Sequence, residues 1–181
     1  PLSQLLPQRS IFRLLTPFGR VSLSQFGEDM IIGEYLAQDR LSATARYIDL
    51  GCFHPLQWSN TAALHLIGWR GLNVDANAKL IAQMHRIRPE DVSLCRGIAA
   101  SHGVFNFYDI GLGASSTIDE AHKSIRESKG FAVNQVTQID CIPIMTLLKK
   151  YIEPEELSQY EYIDIDLEGL DRAVVQQIDW S

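Results

Sequence analysis

Apolar residues recur along this chain in two rhythms. Between residues 46 and 99, short apolar runs alternate with stretches in which apolar positions return every three or four residues, the first marking buried strands and the second helices packed against them. Arg46-Tyr47-Ile48-Asp49-Leu50 reads as a strand ended by Gly51, and a loop through Pro55 leads to a helix from about Asn60 to Ile67 that Gly68 stops. The next strand is Gly71 to Asp75, the next helix Ala78 to Arg86, and a third strand spans Val92 to Ala99. Ahead of this block Phe26, Met30 and Ile31 recur at helical steps and Ser22 with Gln25 matches a capping box, which predicts a helix over Ser22 to Gln38 despite Gly27 and Gly33.

Beyond residue 99 the pattern changes. Val104 to Asp109 predicts an added antiparallel strand, Gly111 to Gly130 a loop with a short helix, and Val136 to Ile144 another strand. Thr146 to Tyr151 begins a helix that ends before Pro154, Tyr160 to Asp166 is a strongly apolar strand, and Gly169 to Ile178 reads as helix. Alternating strands and helices imply parallel strands joined by helical crossovers, hence an α/β fold whose doubly wound, mostly parallel sheet carries helices on both faces. No repeat, low-complexity segment or linker marks a second domain. The last residues, Asp179-Trp180-Ser181, follow a helix that ought to lead into another strand. The expectation is a sheet truncated at its C-terminus, with the Asp164 strand an apolar edge through which the chain pairs with another copy or partner.

Composition narrows the class. With 181 residues, 46% hydrophobic and 21% charged, the chain is long enough to bury a core and is neither disordered nor fibrous. A net charge of −6 argues against nucleic acid as the partner. No apolar run approaches the ~18 residues of a membrane span. Cys52, Cys95 and Cys141 are odd in number and far apart, unlike a disulfide framework, which fits a reducing, cytoplasmic compartment.

Open α/β sheets bind ligands at the carboxyl ends of their strands. At the first such end, Asp49 offers a hydrogen-bond acceptor and Gly51 lets backbone come close to a ligand; the bland alternative is a turn acid with a permissive glycine. The segment is not the G-x-G-x-x-G of a nicotinamide dinucleotide site. Asp75 closes the second strand, where an acid can accept both hydroxyls of a ribose, or else is merely solvated. Asp164, Asp166 and Glu168 follow a period of two, so they share a face if the chain stays extended, and they repel unless a proton, cation or donor intervenes; capping and surface positions are the alternative. His54 sits on the loop after Gly51, facing the ligand side, whereas His65, His85, His102 and His122 lack metal-ligand spacing. Trp58 and Trp69 read as packing residues.

Several of these segments, in order, resemble FkbM-like methyltransferases. They are Ser24-Gln25-Phe26-Gly27-Glu28-Asp29, Tyr47 through Pro55, Ser59-Asn60-Thr61, Gly68 through Ala76, Arg88-Pro89, Ile163 through Asp171, and Asp179-Trp180. The resemblance implies a Rossmann-like class I methyltransferase domain over residues 24–181, preceded by an N-terminal extension over 1–23. It implies S-adenosylmethionine as cofactor and transfer of its methyl group to a hydroxyl of a sugar, polysaccharide or natural product. By position, Asp49 and Gly51 correspond to the cofactor loop, Asp75 to the ribose acid, and Gln25, Glu28 and Asp29 to a helix closing over the cofactor. Cys52-Phe53 departs from the small residues usual there. Methyl transfer to a hydroxyl needs in-line placement and help with the proton; Asp166 and Glu168, with Mg²⁺ as a candidate aid, are the expected catalytic carboxylates and His54 the alternative base. Two rivals stay open. Asp164 and Asp166 form a D-x-D of the kind that holds a metal on a nucleotide sugar in glycosyltransferases, and the scaffold also suits a non-catalytic interaction module.

Overall fold

The computed structural model describes residues 21–38 and 44–180. Most of the expected extension over 1–23 lies outside the described residues. The described end of it is tied into the fold, since the Leu23 carbonyl accepts a hydrogen bond from Ser59 N at 3.0 Å.

Four parallel strands form the main sheet, in the order β3-β2-β1-β7, with β1 Arg46–Leu50, β2 Arg70–Asp75, β3 Val92–Cys95 and β7 Tyr160–Ile165. The expected strand 92–99 is broken at Arg96. After it, β4 (Gly97–Ile98) leaves β2 and pairs with β6 (Val133–Ile142), which runs antiparallel to β5 (Gly103–Ile110). Gly97 permits this join, because a Cβ there would lie 2.3 Å from Cys141 Sγ.

Alternation along β1 sorts the core onto two faces. Ile48 and Leu50 point, with Leu72 and Val74 of β2, into a cluster with Leu147 of α5 (Ile144–Tyr151) and Val174 of α6 (Asp171–Val175). Tyr47 points the other way, toward Leu64 of α2 (Ala62–Leu66), Trp69, and Ile32 and Leu36 of α1 (Glu28–Gln38). The sheet therefore carries helices on both faces, as its strand-helix alternation predicts. Ile81 and Met84 of α3 (Ala78–Ile87) pack on Cys52, and Asn77 caps that helix by accepting from Lys79 N. All three cysteines are free thiols.

Two further expectations are corrected and one is met. The first helix begins at Glu28, not Ser22, because Ser22 Oγ donates to Asp29 Oδ1 at 2.6 Å and the Ser24 hydroxyl accepts from Gly27 N, which consumes the cap further along. Residues 111–130 do hold a helix, α4 (Glu120–Ser128), capped by Asp119. The helix expected over 169–178 is only the five residues of α6. β7 is the outermost strand of the four-stranded sheet, where the sequence put it. No helix among the described residues is long and apolar enough to cross a membrane.

Candidate functional site

A cavity of about 440 Å³ opens at the carboxyl ends of β1, β2 and β7. Its floor carries Asp49, Asp75, Asp164 and Asp166, and its far wall comes from β5, the segment from Gly111 to Ile118, Arg126 and Phe131.

Backbone fit builds the floor. Leu50 O accepts from Asp166 N at 2.9 Å, and Gly51, at φ 85°, lies so close to β7 that a Cβ would sit 1.9 Å from the Asp166 carbonyl oxygen. Only glycine fits this crossing, so Gly51 serves strand-to-strand contact as much as any ligand. Gly51 N and Cys52 N both donate to Val74 O, which steers the loop over β2. Asp75 then fixes it, its Oδ2 accepting from Phe53 N at 3.0 Å and its Oδ1 from Asn77 N at 2.7 Å.

The buried organiser of the site is Arg88, which sequence alone showed only as part of an Arg-Pro pair. Fully buried, it donates to the Pro55 carbonyl, Ser59 Oγ at 2.9 Å, Thr61 Oγ1 at 2.9 Å and Tyr47 OH at 3.0 Å. Thr61 in turn donates to Asp49, and Tyr47 donates to Asp91 Oδ2 at 2.5 Å. One guanidinium thus ties the 55–61 loop to the end of β1 and sits between two buried acids.

The carboxyls of the floor resist ionisation. Burial, and then the neighbouring Asp164, raise Asp49 to about 7. Burial raises Asp75 to about 6 against its two backbone donors. Asp164 is raised by burial while Asn60 and Tyr162 donate to it. Asp166 opens most onto the cavity and stands at about 6, through partial burial first and then the charges of Glu168, Asp171 and Asp164. Such a floor favours a bound cation or a set of hydroxyl donors and repels anions. The two arginines of the lining are already engaged, Arg96 with Asp140 at 2.7 Å and Arg126 with Glu168 at 3.0 Å.

The other expected residues divide. Gln25 lines the cavity, but Glu28 and Asp29 do not. Glu28 Oε2 accepts from Phe26 N, and buried Asp29 accepts from Ser22, Leu23 N and Ser24, so both shape the turn into α1 instead of reaching a ligand. His54 lies outside the lining, its Nδ1 accepting from Leu56 N and Gln57 N, which spends the nitrogen a base would need. Glu168 does line the cavity, yet at φ 47° it turns away from the extended course that would align it with Asp166, into contact with His122 and Arg126 at 3.0 Å each. Trp58 is no packing residue: it is 40% exposed, lines the cavity and stacks on Phe53. Trp69, in contrast, is buried. Among the described residues, no three His, Cys, Asp or Glu side chains converge to hold a metal ion.

No family model, curated protein or solved structure matches this chain.

Proposed function

We propose that this chain binds S-adenosylmethionine at the ends of β1 and β2 and serves O-methyl transfer to a hydroxyl-bearing acceptor, as its FkbM-like motifs suggest. The observation that carries the reading is the floor of four aspartates without an uncommitted cation among the described lining residues. A ligand bearing a sulfonium and an ammonium group, with ribose hydroxyls to donate, complements that floor in charge and in hydrogen bonding. A nucleotide-sugar diphosphate by itself does not, and Asp164, one half of the D-x-D pair, is already engaged by Asn60 and Tyr162. The glycosyltransferase reading is therefore the weaker one.

Asp75 suits the ribose: each of its oxygens has one backbone donor and keeps acceptor capacity. Asp49 and Asp164 supply negative field beneath the cationic part of the ligand. Asp166, the most open of the four, takes the proton of the acceptor hydroxyl. The cofactor contributes an electrophilic methyl group; the chain contributes position, charge and a proton acceptor. His54 and Glu168 take no part in this scheme.

Calorimetry with S-adenosylmethionine and S-adenosylhomocysteine on wild type and Asp75→Ala tests it. Wild type binds both, and the variant loses on the order of tenfold or more in affinity. A wild type that binds neither ligand, or a variant that binds as tightly, removes the assignment.

A further inference from the structure

We infer that Trp58, backed by Phe53, is a stacking platform for the ring of a neutral sugar. The inference names the acceptor side of the methyl-transfer reading above, on which its chemistry rests, but the binding it asserts is separately measurable.

Both aromatic residues stand in backbone conformations that side-chain-bearing residues rarely adopt, Phe53 at φ 44° and Trp58 at φ 55°. Such strain persists where surroundings enforce it, and here they do. Asp75 holds Phe53 N, while Arg88 holds Pro55 O and Ser59 Oγ on either side of Trp58. The two rings stack with centroids 5.9 Å apart and planes 15° from parallel. Beside Phe53 lies Gly113, where a Cβ would come within 3.6 Å of the Phe53 ring. Trp58 has no other ring partner among the described residues, is 40% exposed and lines the cavity. A loop fixed this firmly, in order to leave an indole uncovered, presents a binding face and not a packing contact.

The opposing chemistry selects the ligand. The cavity that Trp58 lines also holds Asn60, Asp164 and Asp166. A pyranose carries one apolar C–H face for an indole and a rim of hydroxyls for carboxylates and an amide. A planar phenolic acceptor offers the indole a flat ring but only one or two hydroxyls, all in the plane of that ring, where a pyranose offers several around its rim. A phosphorylated or acidic sugar meets the aspartate floor, with Arg96 and Arg126 already paired.

Saturation-transfer NMR on the protein with S-adenosylhomocysteine present decides the matter. The probes are the methyl glycosides of glucose, galactose, mannose and rhamnose, with glucose 6-phosphate and catechol as the competing chemistries. At least one glycoside is expected to receive saturation through its ring C–H protons in wild type and in Trp58→Phe. That signal falls about fivefold or more in Trp58→Ala, and the other two probes give none. Saturation of catechol or the phosphate alone, an undiminished signal in Trp58→Ala, or no glycoside signal at all overturns the inference. Calorimetric titration of S-adenosylhomocysteine on the same samples separates the two readings. If it fails to bind while the Trp58-dependent glycoside signal stands, the methyl-transfer reading falls and the platform survives.

Discussion

Asp49 and Asp164 stand in register on the neighbouring parallel strands β1 and β7, so a buried and a half-buried carboxyl group share one site at the floor of the cavity. On the other side of Asp49, also in register, is Asn73, whose buried Oδ1 has no hydrogen-bond partner. Asn73 Nδ2 is committed to Asp91, so the amide cannot turn to relieve its oxygen without losing that bond. A proton on Asp49 eases the repulsion from Asp164 and brings a donor next to Asn73. Around the pair lie Asp75 and Glu28, which add repulsion, and Arg88, which opposes it.

The raised carboxyls of the floor make the ligand-free protein less stable as pH rises. Asp49, Asp75 and Asp166 bind protons more tightly folded than unfolded, so stability declines as pH climbs from the ordinary carboxylate range through about 6 and 7. Asp91 and Glu28, which are lowered, act in the opposite sense but below that window. Thermal melts between pH 5 and 8 should show Tm falling, with a flatter profile for Asp49→Asn. Affinity for cationic S-adenosylmethionine should run the other way, weakening by up to about tenfold per pH unit below 7 for one linked proton. A Tm that rises across this window contradicts the assignment.

Arg88→Ala should cost about 3–5 kcal/mol, because it leaves the buried Pro55 carbonyl and the hydroxyls of Tyr47, Ser59 and Thr61 without their shared donor and removes the positive charge that opposes the acids around Asp49. Arg88→Lys should recover only part of this, since the five hydrogen bonds made by the guanidinium exceed the three donors of an ammonium. Urea denaturation measures both; a loss under about 1 kcal/mol in the alanine variant means that the network does not organise the loop.

Two glycines give opposite answers to the same substitution. Gly51→Ala places a methyl group against the Asp166 carbonyl at a positive φ, so β1 and β7 must separate and both Tm and ligand binding should drop. Gly33, inside α1, has nothing within 4 Å of its would-be Cβ, and Gly33→Ala should stabilise by about 0.5–1 kcal/mol through helix propensity. Melting curves of the two variants check the pair. Stabilisation by both would refute the close β1–β7 crossing.

Local pattern made β1, β2 and α3 legible, because each keeps a single period over its whole length and ends at a recognisable stop or cap. It failed where contacts distant in sequence decide. Arg96 breaks the third strand because β4 is drawn to Cys141 and Ile142 on β6, some 44 residues later. Nothing local marks Arg88 as buried, since its acceptors lie 27 to 41 residues upstream. For the site, strand-end acids were readable as acids at the right stations. Their partners were not: His54 and Glu168 share residue type with a catalytic base, and only the folded chain shows where their lone pairs go.

Asp166 should carry the acid limb of the pH-rate profile. Its carboxylate opens onto the cavity, has no ion-pair partner among the described residues, and loses its proton at about 6, so it is ready to accept a proton at neutral pH. With an acceptor from the glycoside panel, kcat/KM should fall as pH drops through 6. In Asp166→Asn turnover should drop roughly 100-fold, the acid limb should vanish, and S-adenosylmethionine affinity should change little, because the neutral amide keeps the shape but cannot take the proton. Glu168→Gln is the informative contrast: it loosens the contacts with Arg126 and His122 and should lower Tm more than kcat. Release of S-adenosylhomocysteine, followed against pH for the three proteins, measures this. An acid limb that persists in Asp166→Asn and disappears in Glu168→Gln transfers the role of base to Glu168.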